Sequence, residues 1–181
     1  ALAFAVNRSP GADALEPYGM EAGAYMLATL HRPATVDDPD TLSHVLSALA
    51  QLSQPVLLPL HPRTAHAMRR YGIEASGAVR VIEPVGYLEF IALLNHAAKM
   101  VTDSGGVQKE AFLLDCPCVT VRPETEWVET VEAGWNRLVD PTAPDLVNEI
   151  ETFAPPVGKR PDVYGTDVAR TMAQAIQNLI S

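Results

Sequence analysis

The chain has 181 residues, of which 48% are hydrophobic, and a formal net charge of −9. This length allows one sizeable hydrophobic core, and no apolar run reaches the ~20 residues that a membrane-spanning helix needs. The acidic balance argues against a nucleic-acid-binding surface, which is typically basic, but a small anion can still be held by backbone amides and a few local cations. We therefore expect a globular domain that contacts neither nucleic acid nor membrane.

The N-terminal residues and the two cysteines indicate the cellular compartment that we expect for this protein. The opening residues lack the basic segment and cleavage site of a signal peptide, and they lack an initiating Met. We expect a cytoplasmic protein of a bacterium or archaeon, and a chain that begins inside a longer protein. Cys116 and Cys118 flank Pro117 and are expected to be reduced thiols of a buried strand.

Short apolar runs alternate with amphipathic ones along the chain. In chain order, the runs predicted as strands are YMLATL, PVLLPLH, VRVIEPV, KMVTD, CVTVR and NRLVD. A helix is predicted after each one; the first begins near residues 38–40 and the second spans about 64–71. Leu42, Val45, Leu46 and Leu49, for example, share one helical face. A Pro/Gly-rich loop then precedes a final amphipathic helix near the C-terminus.

Strand–helix alternation of this kind predicts an α/β domain with a parallel sheet of about six strands covered by helices. Ligands of such sheets bind beyond the carboxyl ends of the strands. Five polar or glycine-bearing segments follow predicted strands and should meet at that edge: His31–Arg32, His61, Pro84–Tyr87, Asp103–Gly106 and Arg122.

The segment DSGG, residues 103–106, places two poor helix formers where the fourth helix should begin. The first amides of a helix lack carbonyl partners, and glycines there let an anion approach closely. Ser104 can cap the helix or donate its hydroxyl to a phosphate oxygen. One interpretation is a phosphate cradle; the other is a tight strand-to-helix turn in which Asp103 or Ser104 is a simple cap.

Glu110 follows Gly106 by four residues and is predicted to lie one turn further along the same helix. Its two carboxylate oxygens suit the two hydroxyl groups of a ribose. A solvated helix face is the alternative. A cradle and a diol acceptor together suggest a nucleotide that carries both ribose and pyrophosphate.

Several motifs together resemble the non-hydrolysing UDP-N-acetylglucosamine 2-epimerase family. In the family's order they are ATLHRPATVDDPDTL, LPLHPRT, VIEPVGYLEFIALL, VTDSGGVQKEA and ETEWVETVEAG, and they cover roughly residues 25–139. The last motif looks closest to the branch that acts on UDP-2,3-diacetamido uronic acids. TDSGGVQKEA is specific by itself, and the ordered set is more so.

The resemblance implies a Rossmann-like three-layer domain that forms the C-terminal half of a two-domain glycosyltransferase-B fold. Residues 1–181 would be this single UDP-binding domain. Residues 1–24 would be the helix and loop that follow the interdomain hinge, and residues 165–181 a closing helix that packs on the N-terminal domain. It further implies a cytoplasmic enzyme of cell-surface polysaccharide biosynthesis, a homodimer when full length, without cofactor or metal.

The family inverts C2 of the sugar, by elimination of UDP and re-addition. Carried over to this sequence, His31 would stabilise the departing diphosphate as the catalytic residue of this half. Ser104 and Gly106 would hold the diphosphate, Gly105 would supply the turn, and Glu110 would hold the ribose. The remaining expected binding residues are Val85, Gly86 and Phe90 at the uracil and Arg32, His61 and Arg122 facing the cleft.

The chain departs from the family pattern in three respects. Many members read HRREN where this chain reads HRPAT, and Trp127 stands where other branches have an Arg, whose role is then either vacant or served by Arg122. The acid–base carboxylates of the family belong to the N-terminal domain.

Two other functions stay open: a glycosyltransferase of the same architecture, and a stand-alone nucleotide-sugar binding module. His44, His66 and His96 are expected at the surface, and Asp37 and Asp38 as turn and cap residues.

Overall fold

Six parallel strands form the central sheet of the protein, whose structure is a computed structural model that describes residues 2–165. The strands are β1 (Met26–Thr29), β2 (Val56–Pro59), β3 (Val79–Ile82), β4 (Lys99–Thr102), β5 (Cys118–Thr120) and β6 (Asn136–Leu138). Their order across the sheet is β3-β2-β1-β4-β5-β6, and every neighbouring pair is parallel. The prediction of an α/β fold with a six-stranded parallel sheet is confirmed.

Helices fill the connections between the strands. They are α1 (Leu2–Arg8), α2 (Pro33–Val36), α3 (Pro39–Ala50), α4 (Pro62–Tyr71), α5 (Tyr87–His96), α6 (Gly105–Leu113), α7 (Val128–Glu132) and α8 (Leu146–Thr152), with a 3-10 helix at Gly11–Tyr18. Within the described residues, no helix is long and apolar enough to cross a bilayer. The predicted closing helix lies outside the described residues, apart from Gly165 at its start.

Successive side chains of each strand alternate between the two faces of the sheet and form one hydrophobic core on each face. Met26, Ala28 and Val56 belong to the core beneath α3 and α8, whereas Leu27 and Leu57 belong to the core beneath α5 and α6. Successive side chains of a strand point to opposite faces, so a sheet buried on both sides needs unbroken apolar runs. This explains why β1, β2, β4 and β5 carry almost no exposed side chain, whereas edge strand β3 exposes two of its four residues.

Helix starts are fixed by short-range hydrogen bonds. The carboxylate of Asp38 accepts a hydrogen bond of 2.7 Å from the backbone amide of Thr41, which caps α3 and confirms the predicted role of Asp38. Asp37 pairs with Arg63 at the neighbouring turn. Helix α4 starts at Pro62, two residues earlier than predicted, because His61 Nδ1 accepts a hydrogen bond of 3.1 Å from the amide of Arg63.

The strand order reverses direction between β1 and β4. The first three strands are laid down from the centre toward one edge, and β4 to β6 toward the other. At such a switch point the connecting segments diverge and leave a crevice at the carboxyl ends of the two central strands. Here the segments that diverge are residues 30–32 after β1 and residues 103–105 after β4, which are the segments that carry the predicted site.

Candidate functional site

A cavity of about 290 Å³ opens at the carboxyl edge of the sheet. Its walls come from the segments that follow β1, β2 and β3 and from one face of α6. Five of the predicted site residues line it: His31, His61, Val85, Phe90 and Glu110. The rings of His31 and His61 stand side by side at its mouth, with centroids 5.2 Å apart.

Asp103 organises the turn on the β1 side of the cavity. Its carboxylate is fully buried and accepts hydrogen bonds from the backbone amides of His31 (2.9 and 3.0 Å) and Arg32 (2.8 Å). His31 Nδ1 also lies 3.2 Å from Asp103 Oδ1. Burial alone would raise the pKa of this carboxyl, but the hydrogen bonds from His31 and Arg32 outweigh it and lower the pKa. Asp103 therefore fixes the orientation of the His31 ring at the cavity mouth rather than capping α6.

Helix α6 begins with Gly105 and Gly106, and neither glycine has the positive φ that a glycine-requiring turn would show. Gly105 thus stands at the strand-to-helix junction without a backbone conformation that is reserved for glycine. A Cβ on Gly105 would instead lie 3.0 Å from Glu126 Oε2 and 3.5 Å from Arg32 Nη2, whereas a Cβ on Gly106 would meet nothing within 4 Å. The first glycine is thus closely approached by two side chains, and the second has open space where a Cβ would stand.

Ser104 occupies the N-cap position of α6 in extended conformation, but its hydroxyl makes no capping hydrogen bond. Its backbone amide donates to Thr102 Oγ1 at 2.9 Å, and Thr102 in turn bonds to Thr29 at 2.7 Å. These two threonines tie the start of α6 to β1. The serine is thus held by its backbone, and its hydroxyl is left to bond elsewhere.

Glu110 lies half-buried one turn along α6 and lines the cavity. The hydroxyl of Tyr87, at the start of α5, donates a hydrogen bond of 2.8 Å to Glu110 Oε1. Burial raises the pKa of Glu110, and the hydrogen bond from Tyr87 opposes this only in part. One carboxylate oxygen of Glu110 therefore has a hydrogen-bond donor from the protein. Further hydroxyl donors from a ligand would stabilise the charged carboxylate, which burial disfavours.

Two arginines stand beside the start of α6. Arg32 and Arg122 line a second cavity of about 320 Å³ on the other side of the glycine pair. The guanidinium group of Arg122 faces the carboxylate of Glu126 with Nη1–Oε2 and Nη2–Oε1 distances of 3.2 and 3.3 Å. This pairing, together with the more distant charge of Arg32, lowers the pKa of Glu126. Two positively charged side chains, one from the segment after β1 and one from the segment after β5, thus lie beside the start of α6.

The predicted site residues follow strands at one edge of the sheet or lie on the adjoining helices. Five of them line the first cavity and two, Arg32 and Arg122, the second, whereas Ser104, Gly105 and Gly106 begin α6 and line neither. Gly86 lies next to the first cavity as the N-cap of α5. The predicted surface histidines are also confirmed, because His66 is exposed and both His44 and His96 are partly exposed. Cys118 lies in β5 and Cys116 two residues before it; both are free and buried, and burial raises the pKa of Cys118 to about 12.

Glu126 was not predicted as a site residue, and Tyr87 was expected at this edge of the sheet only through its backbone, not as a hydrogen-bond partner of Glu110. Tyr87 occupies the first position of a helix and Glu126 lies in a loop, so neither periodicity nor a glycine signal marks them. Asp103 was predicted only as a strand-end or cap residue. Its position directly after a buried strand, before the glycine pair, was the one usable signal. Within the described residues no cluster of three His, Cys, Asp or Glu side chains is placed to hold a metal ion.

The sequence matches known proteins over nearly its whole length. The family model for UDP-N-acetylglucosamine 2-epimerase matches residues 5–177. A UDP-N-acetylglucosamine 2-epimerase homolog of Methanococcus maripaludis is 41% identical over 145 residues, which are 78% of this chain and 41% of that protein. The UDP-2,3-diacetamido-2,3-dideoxy-D-glucuronate 2-epimerase of Pseudomonas aeruginosa is 48% identical over 75% of this chain and 39% of its own length. The chain thus spans about two fifths of these relatives.

Solved structures agree with the sequence matches. The UDP-GlcNAc 2-epimerase of Methanocaldococcus jannaschii, in complex with UDP-GlcNAc and UDP, has a TM-score of 0.80 at 30% identity, over 98% of this chain and 51% of that one. The calicheamicin glycosyltransferase CalG4 has a TM-score of 0.51 at 17% identity, over 88% of this chain and 38% of that one, which shows the fold alone. With a family match over most of its length, the chain belongs to the UDP-N-acetylglucosamine 2-epimerase family.

Proposed function

We propose that this chain is the UDP-binding part of a nucleotide-sugar 2-epimerase that inverts C2 of a UDP-N-acetylhexosamine. The substrate class is UDP-GlcNAc and UDP-ManNAc or a related 2,3-diacetamido uronic acid. The observation that carries the proposal is the start of α6. The Ser104 hydroxyl makes no capping hydrogen bond there, a Cβ on Gly106 would meet no neighbouring atom, and the carboxylate of Glu110 lines the cavity one turn further along the helix. That arrangement offers donors to a diphosphate and acceptors to a ribose.

The walls of the cavity suit the rest of a uridine nucleotide. Phe90 and Val85 supply apolar surface for the face of uracil, and the exposed backbone at Gly86 leaves peptide groups for its edge. On the opposite side of the cradle, Arg32 and Arg122 place positive charge near the diphosphate position. Local cations of this kind allow an anion to bind although the whole chain is acidic.

In this proposal His31 assists departure of UDP during elimination. Asp103 holds the imidazole at the cavity mouth through Nδ1, so that the other ring nitrogen can face charge that develops on the diphosphate. The reaction needs no metal in this scheme, since amides, arginines and His31 receive that charge. Proton removal and return at C2 fall to the N-terminal domain of a full-length enzyme.

Calorimetry of UDP with the isolated chain tests the binding part of the proposal. We expect UDP to bind, and Ser104→Ala and Glu110→Ala each to weaken it about ten- to hundredfold, the loss of one hydrogen bond to a charged group. Ser43→Ala and Glu132→Gln are matched controls, because both side chains are exposed on helices away from the cavity. Unchanged affinity in both site variants, or a folded wild-type chain that does not bind UDP, would contradict the proposal.

A glycosyltransferase of the same architecture would pass the binding test as well. The two functions separate in a full-length parent, since an epimerase exchanges the C2 proton with solvent and a transferase does not. Proton NMR of UDP-GlcNAc incubated with that parent in deuterated water makes the distinction. Transfer of the sugar to an acceptor without exchange at C2 would favour the transferase.

A further inference from the structure

The carboxylate of Glu126 stands over the start of α6, where an anion is expected. Its Oε2 atom lies 3.0 Å from the position that a Cβ on Gly105 would take, and Arg32 Nη2 lies 3.5 Å from the same point. Both oxygens of this carboxylate, Oε2 included, accept hydrogen bonds from the terminal nitrogens of Arg122. Glu126 thus pairs with Arg122 and lies near Arg32, the two cations that the proposed function assigns to the diphosphate.

The two partners of this ion pair differ in their freedom. The Arg122 side chain is only 15% exposed, whereas 55% of the Glu126 side chain is exposed. A largely buried guanidinium group needs an anionic partner, and Glu126 supplies one without occupying the cavity that holds the nucleoside. Since Glu126 is the exposed partner, it can turn into solvent while Arg122 stays in place.

The backbone around Glu126 is anchored on both sides. The hydroxyl of Thr125 donates a 2.5 Å hydrogen bond to Gln108 Oε1 and accepts one of 3.0 Å from the amide of Trp127. Asn136 Nδ2 also donates to Gln108 Oε1 at 3.1 Å, which ties α6 to β6. Displacement of the carboxylate therefore requires rotation of one side chain and no movement of the loop.

We propose that Glu126 is a built-in competitor of the diphosphate, whose carboxylate must leave Arg122 before a nucleoside diphosphate can bind there. The inference rests on the proposed function and assigns to that site a residue that weakens binding. Its consequence is selective: it lowers affinity for ligands that carry a diphosphate and leaves affinity for the nucleoside unchanged. Such a residue favours release of UDP-containing products.

Calorimetry with UDP and with uridine tests this. For Glu126→Gln we expect the dissociation constant of UDP to fall about two- to fivefold, the equivalent of one exposed ion pair. Affinity for uridine should not change, because the cavity that holds the nucleoside is untouched. Glu129→Gln is the matched control: it removes the same charge from an exposed position on α7 and should leave UDP affinity as it is.

A second variant separates competition from a general charge effect. With Arg122→Gln also present, Glu126→Gln should no longer tighten UDP binding, because the two residues act through one contact. A wild-type chain that binds UDP, together with a Glu126→Gln variant that binds it equally or more weakly, would overturn the inference and leave the proposed function standing. A gain that persists without Arg122 would also overturn it. If the folded wild-type chain fails to bind UDP, the proposed function fails and the inference with it.

Discussion

The half-buried carboxylate of Glu110 opposes folding at neutral pH. Burial raises its pKa, and the hydrogen bond from Tyr87 only partly counters this. A raised folded-state pKa means that the folded chain binds the proton more tightly than the unfolded chain. The stability linked to this group is therefore fully present below the unfolded pKa of ~4.3 and is lost as pH rises through the folded pKa. A ligand that donates hydroxyls to the carboxylate would recover part of that loss.

Replacing Glu110 by Gln should therefore stabilise the folded chain and, in the proposed function, weaken its binding of UDP. The amide keeps an acceptor for Tyr87 and carries no charge to bury, so we expect the free energy of unfolding at pH 7 to rise by less than ~1 kcal/mol. The difference from wild type should vanish below roughly pH 4, where the glutamate is protonated. Urea unfolding at both pH values measures this. A variant that is less stable than wild type at pH 7 would contradict it.

At the residue scale, sequence reasoning found residues that follow strands but not the contacts between them. His31, Glu110 and Phe90 were predicted, and all three line one cavity. The close approach of Glu126 to Gly105 was not, because it depends on a loop thirteen positions after the end of α6 folding back to the helix start. The glycine pair was predicted to begin α6, and it does, but its role toward an anion stays a prediction.

At the element scale, α8 is held by a buried cation on the sheet. Lys99 begins β4 and is 7% exposed, and its ammonium group donates to the carbonyl oxygens of Ile150 and, at 3.2 Å, Glu151. The last carbonyl groups of a helix lack partners within the helix and carry partial negative charge. Lys99 satisfies two of them at the end of α8 and fixes this helix against the sheet.

Lys99→Met should destabilise the chain without affecting the site. Methionine fills a similar volume but leaves the carbonyl of Ile150 without its donor, and we expect a loss of about 1–3 kcal/mol in the free energy of unfolding. Amide exchange in α8 should accelerate most. UDP affinity should be unchanged, because Lys99 lies at the amino end of β4. Lys159→Met, at an exposed position, is the control and should change stability by less than ~0.5 kcal/mol. A stability loss no larger than that of the control would contradict the prediction.

The number and order of elements were predictable, whereas their ends were not. Each strand is shorter than its apolar run, since pairing stops where neighbours diverge at the sheet edges: the run predicted at residues 79–85 is paired only through Ile82. The short helix α2 (Pro33–Val36) was missed because four residues show no periodicity. The strand order was also beyond the sequence, because apolar runs predict a sheet but not which strands are neighbours.

At the scale of the whole molecule, the site is an open edge rather than an enclosed active site. The cavity is walled by the segments after β1, β2 and β3 and by α6, and three of its lining residues, Val85, Phe90 and Val107, pack against the core beneath α5 and α6. Glu110 is the one carboxylate that the described residues place in its lining, and Asp103 is buried beneath the mouth with its oxygens engaged by His31 and Arg32. Proton transfer at a sugar carbon needs an acid–base group within hydrogen-bond reach of that carbon.

We therefore expect the isolated chain to bind UDP-GlcNAc without epimerising it. In the proposed function Glu110 holds the ribose, and the described residues place no other carboxylate in the cavity lining, so elimination would have no base. The measurement is proton NMR of UDP-GlcNAc in deuterated water, with binding followed by ligand line broadening in the same sample. Retention of the C2 proton alongside broadened ligand signals is the expected result. Deuterium at C2, or appearance of the C2 epimer, would mean that this edge of the sheet supplies its own acid–base group.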